Sequence, residues 1–170
     1  MNDYSNIVLI GMPGAGKSTL GVVLAKILNK GFIDADLLIQ AHCGCTLQEY
    51  MDAHGSKAFI AEEGRVLSGI SADNSVIATG GSAIYSPAGM NHLGTLGSIV
   101  YLQISYESLV ERLVDLDERG VVMKDGSSMS LRDLYDERIP LYERYADTTV
   151  NVDGLSITAA ARRVAALMRR

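Results

Sequence analysis

Residues 11–18 read Gly-Met-Pro-Gly-Ala-Gly-Lys-Ser, a full match to the pattern G-x-x-x-x-G-K-[ST]. The pattern restricts the fold sharply, because it operates only between a buried strand and the first turn of a helix. Both flanks are present: Asn6–Ile10 is an apolar run of strand length, and residues 19–28 carry a helical pattern. Gly11, Gly14 and Gly16 permit backbone conformations that a Cβ would forbid and let the main chain close on an anion. The N–H groups of the loop, that of Ala15 among them, then point inward, where the helix dipole adds partial positive charge. Lys17 is placed to reach β- and γ-phosphates, the Ser18 hydroxyl to ligate Mg²⁺, and Thr19 completes the nucleotide-binding set. The chain is expected to bind a nucleoside triphosphate.

With 170 residues, 48% of them hydrophobic, the sequence suits one α/β domain over 1–170 with an ordinary core. A net charge of −5 argues against a nucleic-acid partner, which requires clustered cations. Arg162, Arg163, Arg169 and Arg170 are explained by a solvated helix face with cations near its C-terminus. No Trp and two Phe leave no aromatic platform for bases. The absence of a long apolar run or a secretion signal argues against a membrane partner, and the expected location is the cytoplasm. A monomer acting on a small molecule is expected. His42-Cys43-Gly44-Cys45 has no second ligand pair at zinc-site spacing, so buried or inert thiols are expected.

Strand and helix patterns alternate along the chain, which points to a parallel sheet covered on both faces. A short second strand ends at Asp34. Thr46 and Glu49 form a capping box opening a helix to about His54, and Ser56 is expected to cap a longer helix reaching Ile70. Further strands are expected at 75–78, 98–102 and 148–152. Helices are expected from a Ser105 cap to 114, over 131–145, and from Ser156 onward. Between 115 and 130 periodicity fails and charge, Gly and Ser dominate, which predicts a mobile lid.

Among nucleotide-binding loops of this kind, a base-reading N-K-x-D motif is missing, since Asn29-Lys30-Gly31-Phe32 lacks the acid. The strand at 75–78 ends in Thr79 rather than in a Walker-B carboxylate. Two carboxylates, Asp34 and Asp36, instead follow the second strand, where alternate residues can face one cleft. With Asp34-Ala35-Asp36, the loop, Gly80-Gly81 after the third strand and Arg138-Ile139-Pro140-Leu141-Tyr142, the chain resembles the shikimate kinase family over nearly its whole length.

The resemblance implies a P-loop kinase fold, with a five-stranded parallel sheet, helices on both faces and a mobile lid. It implies ATP and Mg²⁺ as cofactors and transfer of the γ-phosphate to an alcohol. Asp34 joins Ser18 at Mg²⁺, and Asp36 orients and deprotonates the acceptor hydroxyl. Gly80 and Gly81 present backbone N–H groups to the acceptor, and Arg138 grips its carboxylate. Arg112 stands where the family contacts adenine, and Arg119 where a lid arginine neutralises the transferring phosphoryl. An alternative for Asp36 is the N-cap of the helix that follows, and for Arg138 a pair with Asp136 or Glu137.

Two positions depart from the family. Ile60 stands where a substrate-binding arginine is expected, and Ser82 where a third glycine is expected. Losing one charge-assisted bond to a carboxylate weakens binding by about 10- to 200-fold. Lys57, three residues earlier, is the cation placed to compensate, whereas Arg65 points away. Glu63, without an arginine partner, would suit an ammonium group. These departures favour a hydroxy amino acid such as homoserine as acceptor. The alternatives are shikimate itself and, in a different class, a regulator that binds nucleotide without turnover.

Overall fold

The computed structural model describes residues 6–117 and 130–169. Most of the segment expected to form the lid, with Arg119, lies outside the described residues. The chain runs β1 (Asn6–Ile10), α1 (Lys17–Leu28), β2 (Gly31–Asp34), α2 (Ala35–Cys43), α3 (Leu47–His54) and α4 (Ser56–Ser68). It continues through β3 (Ser75–Ala78), a 3-10 turn (Ala83–Tyr85), α5 (Pro87–Leu96), β4 (Gly97–Gln103) and α6 (Tyr106–Asp117). The last elements are α7 (Leu131–Tyr145), β5 (Thr148–Asn151) and α8 (Ile157–Met168).

The strands form one five-stranded parallel sheet in the order β2-β3-β1-β4-β5. Position in that order follows composition. β1 and β3 are buried at every residue, as central strands covered on two faces must be, while the edge strands β2 and β5 keep exposed positions. The chain moves one way along the sheet from β1 to β2 and the other way from β3 to β4. Right-handed crossovers therefore put α1 and α5 on opposite faces. Leu9, Ile10, Leu24, Ile77, Leu102 and Val164 sit in the core between these layers.

β1 is the switch point, with β3 on one side and β4 on the other. In open parallel sheets the crevice beyond the carboxyl ends of such strands takes ligands. Here it receives the glycine-rich loop after β1, the Asp34 corner after β2 and the Thr79–Ser82 turn after β3.

Several boundaries differ from those expected. α1 begins two residues early, at Lys17, because the loop itself supplies the N-cap: Gly16 is left-handed with φ of 92°. The N-cap of α4 is Gly55, not Ser56, which is the first helical residue, and α4 stops at Ser68. α6 extends to Asp117, so residues 115–117 are helical rather than part of an irregular lid. The Thr46–Glu49 capping box forms as expected. α5 carries a Ser86 cap and Pro87 in its first turn, a start signal that periodicity alone did not single out. Cys43 and Cys45 are free thiols and half-exposed rather than buried.

Candidate active site

The glycine-rich loop has the backbone its sequence requires. Gly11, Gly14 and Gly16 all have positive φ, at 148°, 86° and 92°. Lys17 is buried, and its Nζ donates to Gly11 O at 2.7 Å and Met12 O at 2.9 Å, so the ammonium sits inside the curve of the loop. Burial lowers its pKa to about 8, opposed most strongly by the charge of Asp36. Ala15 is buried and closes a turn to Met12 O, while Ser18 and Thr19 are exposed at the mouth. Arg112, from α6, reaches over the loop: Nη1 donates to Ala15 O at 3.2 Å and Gly14 O at 3.4 Å, and Nη2 to Val152 O at 3.4 Å. It links the loop to the segment after β5.

The two carboxylates beyond β2 take different places. Asp34 is the N-cap of α2, its Oδ1 accepting from the N–H of Asp36 at 3.0 Å. Capping thus falls to Asp34 and not to Asp36, which occupies the first turn with its side chain directed at the cleft. Burial raises the pKa of Asp36, with Lys17 opposing and Asp34 reinforcing. Asp34 keeps its second oxygen outside the cap. That free oxygen and the exposed Ser18 hydroxyl are the kind of oxygen donors that could hold Mg²⁺, an ion that retains several of its waters.

Opposite lies the turn after β3. A Cβ at Gly80 would stand 2.7 Å from Glu63 Oε1 and 2.9 Å from Asp36 Oδ1, and one at Gly81 would stand 2.7 Å from Pro13 and 3.0 Å from Arg138 Nη1. Only glycines allow this turn to lie so close to four neighbours. Glu63 is 1% exposed. Its Oε2 accepts from Ser82 Oγ at 2.6 Å, and its Oε1 has no partner. Burial raises its pKa to about 7. Glu63 is therefore not the lone carboxylate expected from the loss of an arginine, because the Ser82 hydroxyl satisfies one of its oxygens. Ile60 lies half-buried one turn earlier on α4, and Lys57 is exposed. Arg65 pairs with Glu62 at 2.9 Å, away from the cleft.

Arg138 is buried on α7, and no carboxylate lies within ion-pair distance of it among the described residues. The intrahelical alternatives are occupied otherwise: Asp136 pairs with Arg132 at 3.1 Å, and Glu137 accepts from Tyr85 OH. Arg138 Nε donates to Tyr85 OH at 3.4 Å, and its guanidinium carbon stands 5.3 Å from the centre of that ring. Tyr142, one turn further along α7, donates its OH to Gly81 O at 2.7 Å and stacks on Tyr101. Tyr85 was not legible as a site residue, since nothing in its local pattern separates it from the 3-10 turn that carries it. Tyr142 was legible only as part of the Arg138–Tyr142 motif.

The cleft thus gathers Lys17, Asp34, Asp36, Glu63, Gly80, Gly81, Ser82 and Arg138 at the switch point of a parallel sheet. A phosphate-binding loop facing a buried carboxylate and an unpaired guanidinium is the arrangement of a P-loop phosphotransferase acting on a small acceptor. A sequence model of the shikimate kinase family matches residues 13–169. The chain belongs to the shikimate kinase family, ATP-using phosphotransferases with a hydroxyl group as acceptor. It is 40% identical over 154 residues to the shikimate kinase of Francisella tularensis subsp. holarctica, covering 89% of this chain and 88% of that protein. The shikimate kinase of Francisella philomiragia subsp. philomiragia is 39% identical over the same length. Among solved structures, a shikimate kinase from Acinetobacter baumannii in complex with shikimate aligns with a TM-score of 0.85 and 32% identity. That alignment covers 96% of this chain and 92% of the other. A shikimate kinase from Aquifex aeolicus gives a TM-score of 0.78 at 27% identity, covering 96% of each chain. Family membership sets aside the regulator without turnover. No helix among the described residues is long and apolar enough to cross a membrane.

Proposed function

We propose that the chain transfers the γ-phosphate of MgATP to a hydroxyl of shikimate. The observation that carries this reading is Arg138: a buried guanidinium without a carboxylate partner, one nitrogen beside Gly81, facing the Asp36 carboxylate across the Gly80–Gly81 turn. A planar fork held this way suits an acceptor carboxylate, with the reacting hydroxyl directed at Asp36. The relatives named as shikimate kinases support the same acceptor.

The residues divide the work as follows. Loop N–H groups and Lys17 hold the β- and γ-phosphates, and Arg112 steadies the loop from above. Asp36, its basicity raised by burial, orients the acceptor hydroxyl and takes its proton as the new P–O bond forms and the bond to the β-phosphate oxygen breaks. When bound, Mg²⁺ supplies charge neutralisation at the phosphates, and Ser18 and Asp34 are the residues that would hold it. Arg119, as a lid cation that neutralises the transferring phosphoryl, belongs to this proposal.

Homoserine was favoured by Ile60 and by a Glu63 free to meet an ammonium. The Ser82 bond and the burial of Glu63 weaken that second reading, since an ammonium would have to reach an oxygen closed in beneath Gly80. A coupled ADP-release assay with shikimate and homoserine decides the matter. Turnover on shikimate is expected to dominate; turnover on homoserine with none on shikimate would reverse the assignment.

A further inference from the structure

The turn after β3 is fastened from several sides. Tyr142 of α7 holds the carbonyl of Gly81 at 2.7 Å, and Pro13 of the glycine-rich loop packs against the same residue. Asp36 of α2 and Glu63 of α4 lie directly under Gly80. The bond from Ser82 Oγ to Glu63 Oε2, at 2.6 Å, is the tie to α4. Ser82 is the sole hydrogen-bond donor to Glu63 among the described residues, because Ile60 offers only hydrocarbon and Arg65 is taken by Glu62. Glu63 is 1% exposed, so its carboxylate is turned away from bulk solvent.

We propose that Ser82 is a positioning residue of the acceptor site. Its hydroxyl fixes the Glu63 carboxylate, and Glu63 in turn sets where Gly80, Gly81 and the Asp36 carboxylate face the acceptor. Ser82, Glu63, Gly80, Gly81 and Asp36 all lie outside the glycine-rich loop of residues 11–18, so the loss of the Ser82 hydroxyl falls on acceptor binding more than on nucleotide binding. Without the hydroxyl, a buried carboxylate loses its donor and must turn, and the turn that leans on it moves with it. The inference rests on the reading that this cleft takes the phosphoryl acceptor.

The test is steady-state kinetics of Ser82→Ala and Ser82→Thr with both substrates varied, beside amide hydrogen exchange over residues 79–85 with MgATP bound. Ser82→Ala is expected to raise the KM for the acceptor by about tenfold or more, the scale of one charge-assisted hydrogen bond, and to leave the KM for ATP within about twofold. Ser82→Thr, which keeps the hydroxyl, should restore the acceptor KM to within about threefold of the parent. Exchange over 79–85 should quicken in Ser82→Ala and return in Ser82→Thr. Equal KM increases for both substrates, or no recovery in Ser82→Thr, would overturn the proposal. Should no acceptor be phosphorylated by the parent protein, the functional reading fails, and exchange alone decides: unchanged rates over 79–85 in Ser82→Ala refute the role of Ser82.

Discussion

At the scale of single residues, the cleft holds two carboxylates that burial drives in the same direction to different ends. Glu63, raised to about 7, binds its proton more tightly in the folded chain than in the unfolded one. Between its ordinary value near 4.5 and about 7, the native state therefore carries the extra proton, and stability falls as pH rises through that window. The penalty is complete above pH 7. Glu63→Gln removes it while keeping an acceptor for Ser82. Denaturant titrations should show the variant gaining about 2–3 kcal/mol over the parent at pH 8 and little at pH 4. A constant difference across that range would mean that Glu63 titrates alike in the folded and the unfolded chain. Asp36, in the function proposed here, instead touches substrate. Asp36→Asn is expected to lower kcat by about 10²- to 10⁴-fold, with the KM for ATP changed only a few-fold. Steady-state kinetics that showed the loss in ATP binding alone would assign Asp36 to the nucleotide.

At the scale of elements, the site depends on the sheet being held in register at its far end. Asn6 begins β1 and is 1% exposed. Its Nδ2 donates to Ala72 O and Leu96 O, each at 2.9 Å, and its Oδ1 accepts from the N–H of Ser75 at 2.9 Å. One amide thus ties β1 to the starts of β3 and β4, the strands that flank it. Asn6→Ala leaves three backbone groups unpaired in a dry place. A loss of about 2–4 kcal/mol is expected, read as a lower urea midpoint at unchanged slope. A change below about 0.5 kcal/mol would show that water replaces the amide. Helix α7 presents a contrasting case: Pro140 removes one rung of its ladder, yet Arg138 and Tyr142 on either side are both fixed by tertiary contacts. What orients these side chains is the turn after β3 and the 3-10 turn, not the helix alone.

At the scale of the whole molecule, nucleotide binding and folding are linked. The loop joins β1 to α1 and touches α6 through Arg112, so a bound triphosphate stabilises the fold as one unit. MgATP at about 100 times its Kd should add about 2.7 kcal/mol, a Tm rise of about 5–10 °C for a chain of this size. Lys17→Ala should abolish most of that rise, and a full shift in this variant on a thermal melt would show that Lys17 does not hold the phosphates.

The loop, the alternating elements and the Arg138–Tyr142 motif are local patterns, and the sequence by itself determined from them the strands and helices, the nucleotide loop and the family. Local spacing specifies these features because each is made by residues adjacent in the chain. The sequence does not decide which of two nearby acids caps α2, since only the backbone at Asp34 sets which carboxylate turns to the N–H of Asp36. Glu63 was expected to stand alone, because its partner lies 19 residues away, just before a 3-10 turn whose packing against α4 brings the two within 2.6 Å. Tyr85 reaches Arg138 across 53 residues in the same way. Tertiary structure alone decided how the acceptor end of the cleft is satisfied, because a hydrogen bond between distant segments leaves no period or spacing in the chain that forms it.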